Sequence, residues 1–432
     1  MVAKMNDQKQ EQTEQNTQKD ASTRPRPKQI VGMDAHTRKL AISIWEWSDD
    51  PWNPTFAGQV KCFGVDQLKE VYEKHVDLDS ITIIEASMNS AMIKEMLDEI
   101  GFRAEVVRAD IIADKERKRK VCDIKDAENL AKAYMKGDVK DFVWTATGKY
   151  AKYRAVLYAY RDARKEMQRN WNRIWSLCCA CGIRLPEETG REFAELVRGT
   201  LKGLALDNIT AERFEMGLTD YEKYLDRSEK LDGIILEVVR GEDDMIDLMQ
   251  LPGFYYMSAF AVKTIVEDAR RFSKGSKLSA YSGLAPQVNT SGEEEIRAEK
   301  KGGSGKPLDT EGRRDLKYYF CEAGQTVLNT CGKSTLGKWG YHLMFKGKER
   351  NKVVCGVARK LTVYSWHVMR GDPTPNREGE AMFRRKMIRF ATDIGKNRLR
   401  ELGYKSRSEF ADRHVQRLYG ALPKESKDKA KN

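Results

Sequence analysis

Long apolar runs are absent from this chain, and the side chains that bind soft metals are scarce. No window approaches the ~20 apolar residues that a membrane span needs. The first residues carry no apolar stretch of the signal-peptide kind. The 432 residues include only 5 histidines and 8 cysteines. We therefore expect no membrane partner and no export, and we expect free thiols in a reducing cytoplasm.

Three of the cysteines cluster in CCACG, at Cys178, Cys179 and Cys181. No second CxxC and no histidine pair stands at the spacing that a structural zinc site requires. A cluster of this kind near the end of a helix fills a core more often than it binds metal. We therefore expect no zinc site there.

Positive charge is concentrated in the last quarter of the chain, although the net charge is only +12. Residues 333–432 carry 25 Lys and Arg against 10 Asp and Glu, whereas the remaining residues carry 52 against 55. A surface that neutralises phosphates has this composition. The sequence therefore predicts a nucleic-acid partner, and the alternative is a basic tail that only confers solubility.

Composition and periodicity divide the chain into five segments. Residues 1–28 have almost nothing to bury, so we expect a disordered arm. Residues 29–148 alternate short strands with short helices, which predicts an α/β domain with a mixed central sheet. Apolar residues at intervals of three and four predict a helical coiled-coil or oligomerisation region over 149–248. We expect a compact, mainly α-helical domain over 249–370 and a basic, helical tail over 371–432 that faces nucleic acid.

Four acids in the α/β segment stand out by their positions. Asp34 ends the first strand in VGMD, and Glu85 follows the apolar strand ITII. Asp123 and Asp126 lie three apart in CDIKDAENLA, where a helix begins, so they share a helix face. Clustered carboxylates repel one another unless cations neutralise them, and Mg²⁺ or Mn²⁺ suits such ligands. The pattern predicts a metal site for phosphoryl transfer, although each acid alone also fits a turn, an N-cap or a helix-dipole role.

The order VGMD…IIEAS…CDIKDAENLA resembles the N-terminal DEDD domain of one transposase family. These are the transposases of the insertion sequences of family one-hundred-ten, which are related to the Piv-type DNA invertases. The resemblance implies the fold of RNase H and of the RuvC Holliday-junction resolvase. It also implies that the catalytic, metal-binding tetrad consists of Asp34, Glu85, Asp123 and Asp126.

The later half of the chain resembles the serine-bearing C-terminal domain of the same family. A proline–glycine turn in LMQLPGF opens a helical pair, an RF follows, and GLAPQVNTSG holds the position of the active serine. The resemblance covers roughly residues 30–370 and singles out Ser291. Without it, Ser291 would be a loop serine little better than Ser282 or Ser304. Cationic side chains that could stabilise charge on a phosphate stand near it in sequence: Arg297, Lys300 and Lys301.

This resemblance implies a transposase that moves an insertion sequence by cutting and rejoining DNA. Ser291 would form a transient phosphoserine link, with Mg²⁺ or Mn²⁺ held by the four acids. Members of the family use a structured non-coding bridge RNA, and a serine of one subunit is thought to complete the carboxylate site of another. The expected partners are therefore DNA, an RNA and a second copy of the chain, as a homodimer or homotetramer. The expected place is the prokaryotic cytoplasm, at the nucleoid.

Two other functions share parts of this pattern. A RuvC-like nuclease or junction resolvase would use the same four acids with water as the nucleophile. A non-catalytic nucleic-acid-binding scaffold would tolerate the change Asp126→Asn. In the basic quarter, four aromatic residues could stack on bases, but their helical spacing is more typical of a core: Trp339, Tyr341, Tyr364 and Trp366.

Overall fold

The structure of the chain is a computed structural model. It describes residues 27–36, 39–47, 55–62, 64–108, 123–139, 142–184, 190–286, 312–372 and 377–420. The chain divides into two compact units, the first ending at Ala151 and the second beginning at Lys152. Within the described ranges, no helix combines the length and the apolar character that a bilayer span requires.

Five strands form the sheet of the first unit, in the order β3-β2-β1-β4-β5. Their bounds are β1 Gln29–Ala35, β2 Leu40–Glu46, β3 Thr55–Cys62, β4 Ser80–Glu85 and β5 Arg103–Val107. Strands β1, β2 and β3 pair antiparallel, whereas β4 runs parallel to β1 and β5 runs parallel to β4. The sheet is mixed, so the predicted α/β fold with a mixed sheet is confirmed.

Apolar side chains cover both faces of this sheet because strand residues alternate in direction. The helices of the unit are α1 Leu68–His75, α2 Ser90–Glu99 and α3 Asp123–Met135. On one face, Met33 of β1 shares a core with side chains of α1 and α2, including Tyr72 and Leu97. On the other face, Ile30 of β1 packs in a core with Leu130 of α3. The unit therefore has three layers, and even-numbered residues of β1 face α3.

Helix α3 lies very close to the sheet because residue 32 is a glycine. A Cβ at Gly32 would stand 1.8 Å from the carbonyl oxygen of Ala127 and 2.9 Å from the backbone nitrogen of Ala131. Both alanines are fully buried, and their small side chains favour a helix. Glycine on the strand and alanine on the helix together bring the backbone of α3 against β1.

The second unit is helical in the ranges that the structure describes, apart from turns and short connections. Helix α4, Gly148–Ala180, begins just before this unit and continues through it. The other helices are α5 Arg191–Lys202, α6 Asn208–Arg240, α7 Asp243–Leu248, α8 Tyr256–Val266, α9 Gly275–Tyr281, α10 Arg314–Thr330, α11 Thr335–Phe345, α12 Arg350–Arg370, α13 Glu380–Ile394, α14 Lys396–Glu401 and α15 Arg407–Tyr419. The predicted mainly helical remainder is confirmed.

The two longest helices, α4 and α6, run antiparallel over 33 residues each. Near the end of α4, Ile174 and Cys178 pack in one core with Phe214 at the start of α6 and with buried side chains of α5. Near the start of α4, Leu157 shares a different core with the last turns of α6. Of the clustered cysteines, Cys178 is buried in the hairpin core.

The larger core of the second unit includes the tail helices. Phe383 and Phe390 of α13 and Phe410 of α15 are almost completely buried together with residues of α8, α10 and α12. Lys386 donates hydrogen bonds to the carbonyl oxygens of Met249 and Leu251 at 2.8 and 3.1 Å. One face of α13 and one face of α15 therefore pack in the core. A binding partner could contact only the exposed faces of these two helices.

Replacing Gly32 by alanine is expected to destabilise the first unit by roughly 1–3 kcal/mol, because the added Cβ overlaps the backbone of α3. The matched control is Gly58→Ala on β3 of the same sheet, where a Cβ would meet nothing within 4 Å. We expect the control to change stability by less than about 0.5 kcal/mol. Urea unfolding of the full chain measures both changes, and equal effects would contradict the close packing of α3 on β1.

Candidate active site

Two of the predicted acids lie at neighbouring strand ends. Strands β1 and β4 are parallel, and Met33 pairs with Ile84. Asp34 and Glu85 are the next residues of these strands. Both therefore lie where the carboxyl ends of β1 and β4 stand side by side. Asp34 is on the face that α3 covers, and it is only 9% exposed. Glu85 is half-buried.

The first turn of α3 supplies the other two predicted acids. Asp123 is the first residue of this helix, and Asp126 lies one turn later on the same face. Ala127, the next residue, is the one whose carbonyl group contacts Gly32. Because Asp34 is two residues beyond Gly32 on the same face of β1, the close packing of α3 brings its first turn to Asp34.

A histidine joins this group of carboxylates. The Nε2 atom of His36 lies 3.3 Å from Oδ2 of Asp34 and 3.9 Å from Oδ1 of Asp123. Potential ligand atoms of Asp34, His36 and Asp123 all lie within 4.8 Å of one another, a spacing that a single metal ion can bridge. Asp126 and Glu85 are not members of this three-residue group.

The carboxylates influence one another electrostatically. The pKa of Asp34 is raised from its ordinary value, chiefly by burial, and the nearby charges of Asp126 and Asp123 also raise it, while His36 lowers it. The pKa of Asp126 is raised by burial and then by Asp123, and His36 again lowers it. Burial and like charge therefore both disfavour the ionised state of these acids, and a cation would relieve both effects.

His36 was not among the site residues predicted from the sequence. Two residues apart on an extended chain, Asp34 and His36 point to the same side of β1, so the spacing in MDAH carried the signal. The backbone N–H of His36 donates to the carbonyl oxygen of Lys39, which continues the hairpin of β1 and β2 beyond the strand. This backbone hydrogen bond fixes the position of His36 beside Asp34.

The predicted serine nucleophile, Ser291, lies outside the described residues. The described chain stops at Pro286 and resumes at Gly312, and these two flanks meet. A Cβ at Gly312 would stand 2.1 Å from the backbone nitrogen of Gly283, and the N–H of Arg313 donates to the carbonyl oxygen of Tyr281 at 2.8 Å. The flanks of the segment that contains Ser291 are thus held together.

Cationic and phenolic groups surround these flanks. The guanidinium group of Arg313 lies 2.7 Å from Oδ2 of Asp315 and 2.7 Å from Oη of Tyr158. The guanidinium group of Arg271 lies 4.7 Å from the ring centre of Tyr281. These side-chain contacts therefore lie beside the two flanks of the segment that contains Ser291.

The competing serine at position 282 is not available for chemistry. Ser282 is fully buried, and its hydroxyl group donates a hydrogen bond to the carbonyl oxygen of Leu278 at 2.7 Å. Its role is to close the end of α9. Of the two serines that rivalled Ser291 in the sequence, Ser304 lies outside the described residues and Ser282 is structural.

Comparison with known proteins gives one family. A sequence model described as Transposase, IS116/IS110/IS902 family, matches residues 247–336. The match begins in α7, ends at the start of α11 and includes position 291. It supports a transposase of this family and, in general terms, an enzyme that cleaves and recombines DNA. No curated protein has significant sequence similarity to the chain.

The matched span and the acidic group occupy different parts of the chain. The four acids all precede residue 247 and lie outside the match. Their assignment as metal ligands is therefore still a prediction, which depends on their geometry and on the sequence resemblance. The same holds for the RuvC-like relationship of the first unit.

Replacing Asp34 by asparagine is expected to remove Mg²⁺-dependent stabilisation. In the wild type, a ligand at 100 times its dissociation constant stabilises the folded state by about 2.7 kcal/mol. Asp34→Asn removes a ligand and also a buried charge beside like charges, so the metal-free variant should be no less stable than the wild type. Thermal unfolding with MgCl₂ and with EDTA measures both quantities.

The matched control is Asp138→Asn, which neutralises an exposed acid just after α3. It should keep the full response to Mg²⁺. An equal Mg²⁺ response in the wild type and in Asp34→Asn would contradict a metal site at this acidic group.

Proposed function

We propose that this chain is a transposase that mobilises an insertion sequence by cutting and rejoining DNA through a phosphoserine intermediate at Ser291. The observation that carries the proposal is the match of residues 247–336 to a transposase family, because position 291 falls within that span. The acidic group of the first unit supports the proposal independently, since phosphoryl transfer commonly requires metal-binding carboxylates.

The residues of the first unit suit a hard divalent cation. The charges of Asp126 and Asp123 raise the pKa of Asp34 further above the level that burial sets, and Glu85 ends the neighbouring strand. Carboxylate oxygens are the ligands that Mg²⁺ prefers, with Mn²⁺ as a close substitute. When bound there, the ion would supply positive charge to the phosphate oxygens and would lower the pKa of an attacking hydroxyl group.

In each step of strand transfer, one phosphorus–oxygen bond forms as another breaks. The Oγ atom of Ser291 loses its proton and forms a bond to phosphorus, while the bond from phosphorus to one sugar oxygen breaks. That sugar oxygen leaves as a hydroxyl group and takes up a proton. In the second step, a sugar hydroxyl group of another strand attacks the phosphoserine and releases Ser291. Because a phosphoester link is kept throughout, rejoining needs no nucleotide cofactor.

His36 is a positioning residue in this proposal. Its imidazole group contacts Asp34 and Asp123 at 3.3 and 3.9 Å and lies at the exposed side of the group. It orients the two carboxylates toward a common point.

The proposed partners are DNA, a structured non-coding bridge RNA and further copies of the chain. The excess of basic residues over 333–432 supports nucleic-acid binding. The antiparallel pair α4 and α6 offers a long surface for a homodimer or homotetramer. Exposed apolar side chains along this pair include Trp175, Met216 and Ile234.

A second candidate function is a metal-dependent nuclease or junction resolvase that uses water. The acidic group favours it as much as it favours a transposase, because both reactions need the same ligands. The two functions differ at Ser291, which a water-using nuclease does not need.

Trapping of a covalent protein–DNA adduct separates these functions. The purified protein, with any RNA that co-purifies, would react with labelled DNA spanning the element's junction in MgCl₂ and would be quenched in SDS. We expect an adduct with the wild type and with the control Ser304→Ala. Ser291→Ala and Asp126→Ala should lower the adduct to background, the first by removing the nucleophile and the second by removing a metal ligand.

Two outcomes would decide against the phosphoserine mechanism. Cleavage without an adduct, lost in Asp126→Ala but retained in Ser291→Ala, would establish the water-using nuclease. An adduct that persists in Ser291→Ala would place the nucleophile elsewhere.

A further inference from the structure

The turn between α11 and α12 carries an aromatic side chain with almost no protein contact. Phe345, the last residue of α11, is 91% exposed. Every residue from 345 to 352 is exposed as well. Such exposure leaves both faces of the phenyl ring free to contact a ligand. We refer to Lys338, His342, Phe345, Lys346 and Lys348 as the α11–α12 corner.

The backbone holds Phe345 outward. Gly347 has a φ of 82°, in the left-handed region that glycine favours. Its N–H donates to the carbonyl oxygen of Met344, and the N–H of Lys348 donates to that of Leu343. This is a Schellman motif, which ends α11 with a defined geometry. Leu343 and Met344 pack against the core, so the adjacent Phe345 projects away from it.

Positive charge surrounds the ring. Residues 333–360 contain eight Lys and Arg and one acid, Glu349. Among the described residues, no carboxylate lies within salt-bridge distance of Lys338, Lys346 or Lys348, whereas Glu349 pairs with Lys352 at 3.1 Å. Lys338 and His342 precede Phe345 on one exposed face of α11. The corner therefore combines unneutralised lysines with an exposed aromatic ring.

The four aromatic candidates from the sequence all make contacts within the protein, and Tyr364 packs against the core. The indole Nε1 of Trp366 donates to the carbonyl oxygens of Ala269 and Phe272. The hydroxyl group of Tyr341 donates to the carbonyl oxygen of Leu328 at 2.6 Å. Trp339 packs against the core with the ammonium group of Lys360 over its ring at 4.6 Å.

We propose that the α11–α12 corner binds single-stranded DNA, with one unpaired base stacked on Phe345 and flanking phosphates neutralised by Lys346 and Lys348. A phenyl ring has no donor or acceptor, so it reads no base edge and binds any base through its face. Lysines beside the ring supply the contacts to the backbone. The sequence preference of this contact is therefore weak.

A second copy of the chain fits less well. A second copy of the same corner would bring lysines against lysines. Phe345 and the partly exposed Tyr341 one turn before it give a smaller apolar surface than the core of a protein interface. Single-stranded RNA presents the same base faces and phosphates to this ring and these lysines. The choice of DNA rests on the proposed function, because strand exchange exposes unpaired DNA at the break.

Equilibrium binding tests this contact without any cleavage. Full-length protein carrying Ser291→Ala, in EDTA, would be titrated into a fluorescent single-stranded DNA oligonucleotide of mixed sequence. Single-stranded RNA and duplex DNA of the same sequence form parallel arms. Because EDTA removes the divalent cation that cleavage by serine or by water needs, the binding result does not depend on the serine mechanism. Unchanged binding in Phe345→Ala would likewise leave the outcome of the adduct experiment unaffected.

Phe345→Ala is expected to weaken binding to single-stranded DNA by about 5- to 150-fold, the range measured for one stacked base. Phe345→Leu should lose as much, because it keeps bulk but lacks a π face, and Phe345→Trp should bind at least as well as the wild type. Ile209→Ala is the matched control, since Ile209 is 74% exposed on α6, and it should not change affinity. Thermal unfolding of Phe345→Ala should match that of its parent.

The charge contribution is measured separately by salt dependence. The double change Lys346→Ala and Lys348→Ala should reduce the slope of log K against log salt by about 1.4, while Phe345→Ala leaves it unchanged. The proposal is overturned by unchanged affinity in Phe345→Ala, or by full affinity in Phe345→Leu. An equal loss on duplex DNA, or a loss confined to RNA, would overturn the single-stranded DNA assignment.

Discussion

The candidate site depends on one close contact, that of Gly32 on β1 with the backbone of α3 at Ala127. Any side chain at position 32 would overlap this carbonyl group, which a Cβ would approach to 1.8 Å. With glycine there, α3 lies on the sheet with its first turn at the edge where β1 and β4 end. Asp123 and Asp126 thereby reach Asp34, and burial and mutual repulsion raise the pKa values of Asp34 and Asp126. The packing of the unit thus gathers carboxyl groups whose ionised state a bound cation would favour.

Local patterns were enough to predict the strands, the long helices and the positions of the four acids. A short apolar run marked β4, and the three-residue spacing of Asp123 and Asp126 marked one helix face. Two features were missed: His36, although the spacing in MDAH carried its signal, and the burial of Phe390, which depends on contacts between distant residues. His36 joins the acids only because the hairpin continues past β1, and Phe390 of the basic tail is buried in the core formed by earlier helices. Ser282 could be excluded only once its burial was known.

The basic quarter of the chain is less uniform than its composition suggests. Several of its cations are paired within the protein: Arg384 with Asp412 at 2.6 Å, Lys386 with Glu378 at 2.9 Å and Arg417 with Asp247 at 2.5 Å. Such pairs hold the tail helices in place and leave less charge for a ligand. The lysines of the α11–α12 corner lack such partners among the described residues. The lysines without a carboxylate partner therefore mark where we expect nucleic acid to bind.

The central claim is that the acids at the ends of β1 and β4 and at the start of α3 hold a divalent metal ion. Iron-driven cleavage of the polypeptide tests it most directly. Fe²⁺ bound in place of Mg²⁺ reduces added hydrogen peroxide to hydroxyl radicals that cut the nearest backbone, and ascorbate regenerates the Fe²⁺. We expect cuts near Asp34, Glu85 and Asp123 that excess Mg²⁺ suppresses and that Asp34→Asn removes. Cuts elsewhere, or cuts at these positions that neither Mg²⁺ nor Asp34→Asn affects, would contradict a metal site at this edge of the sheet.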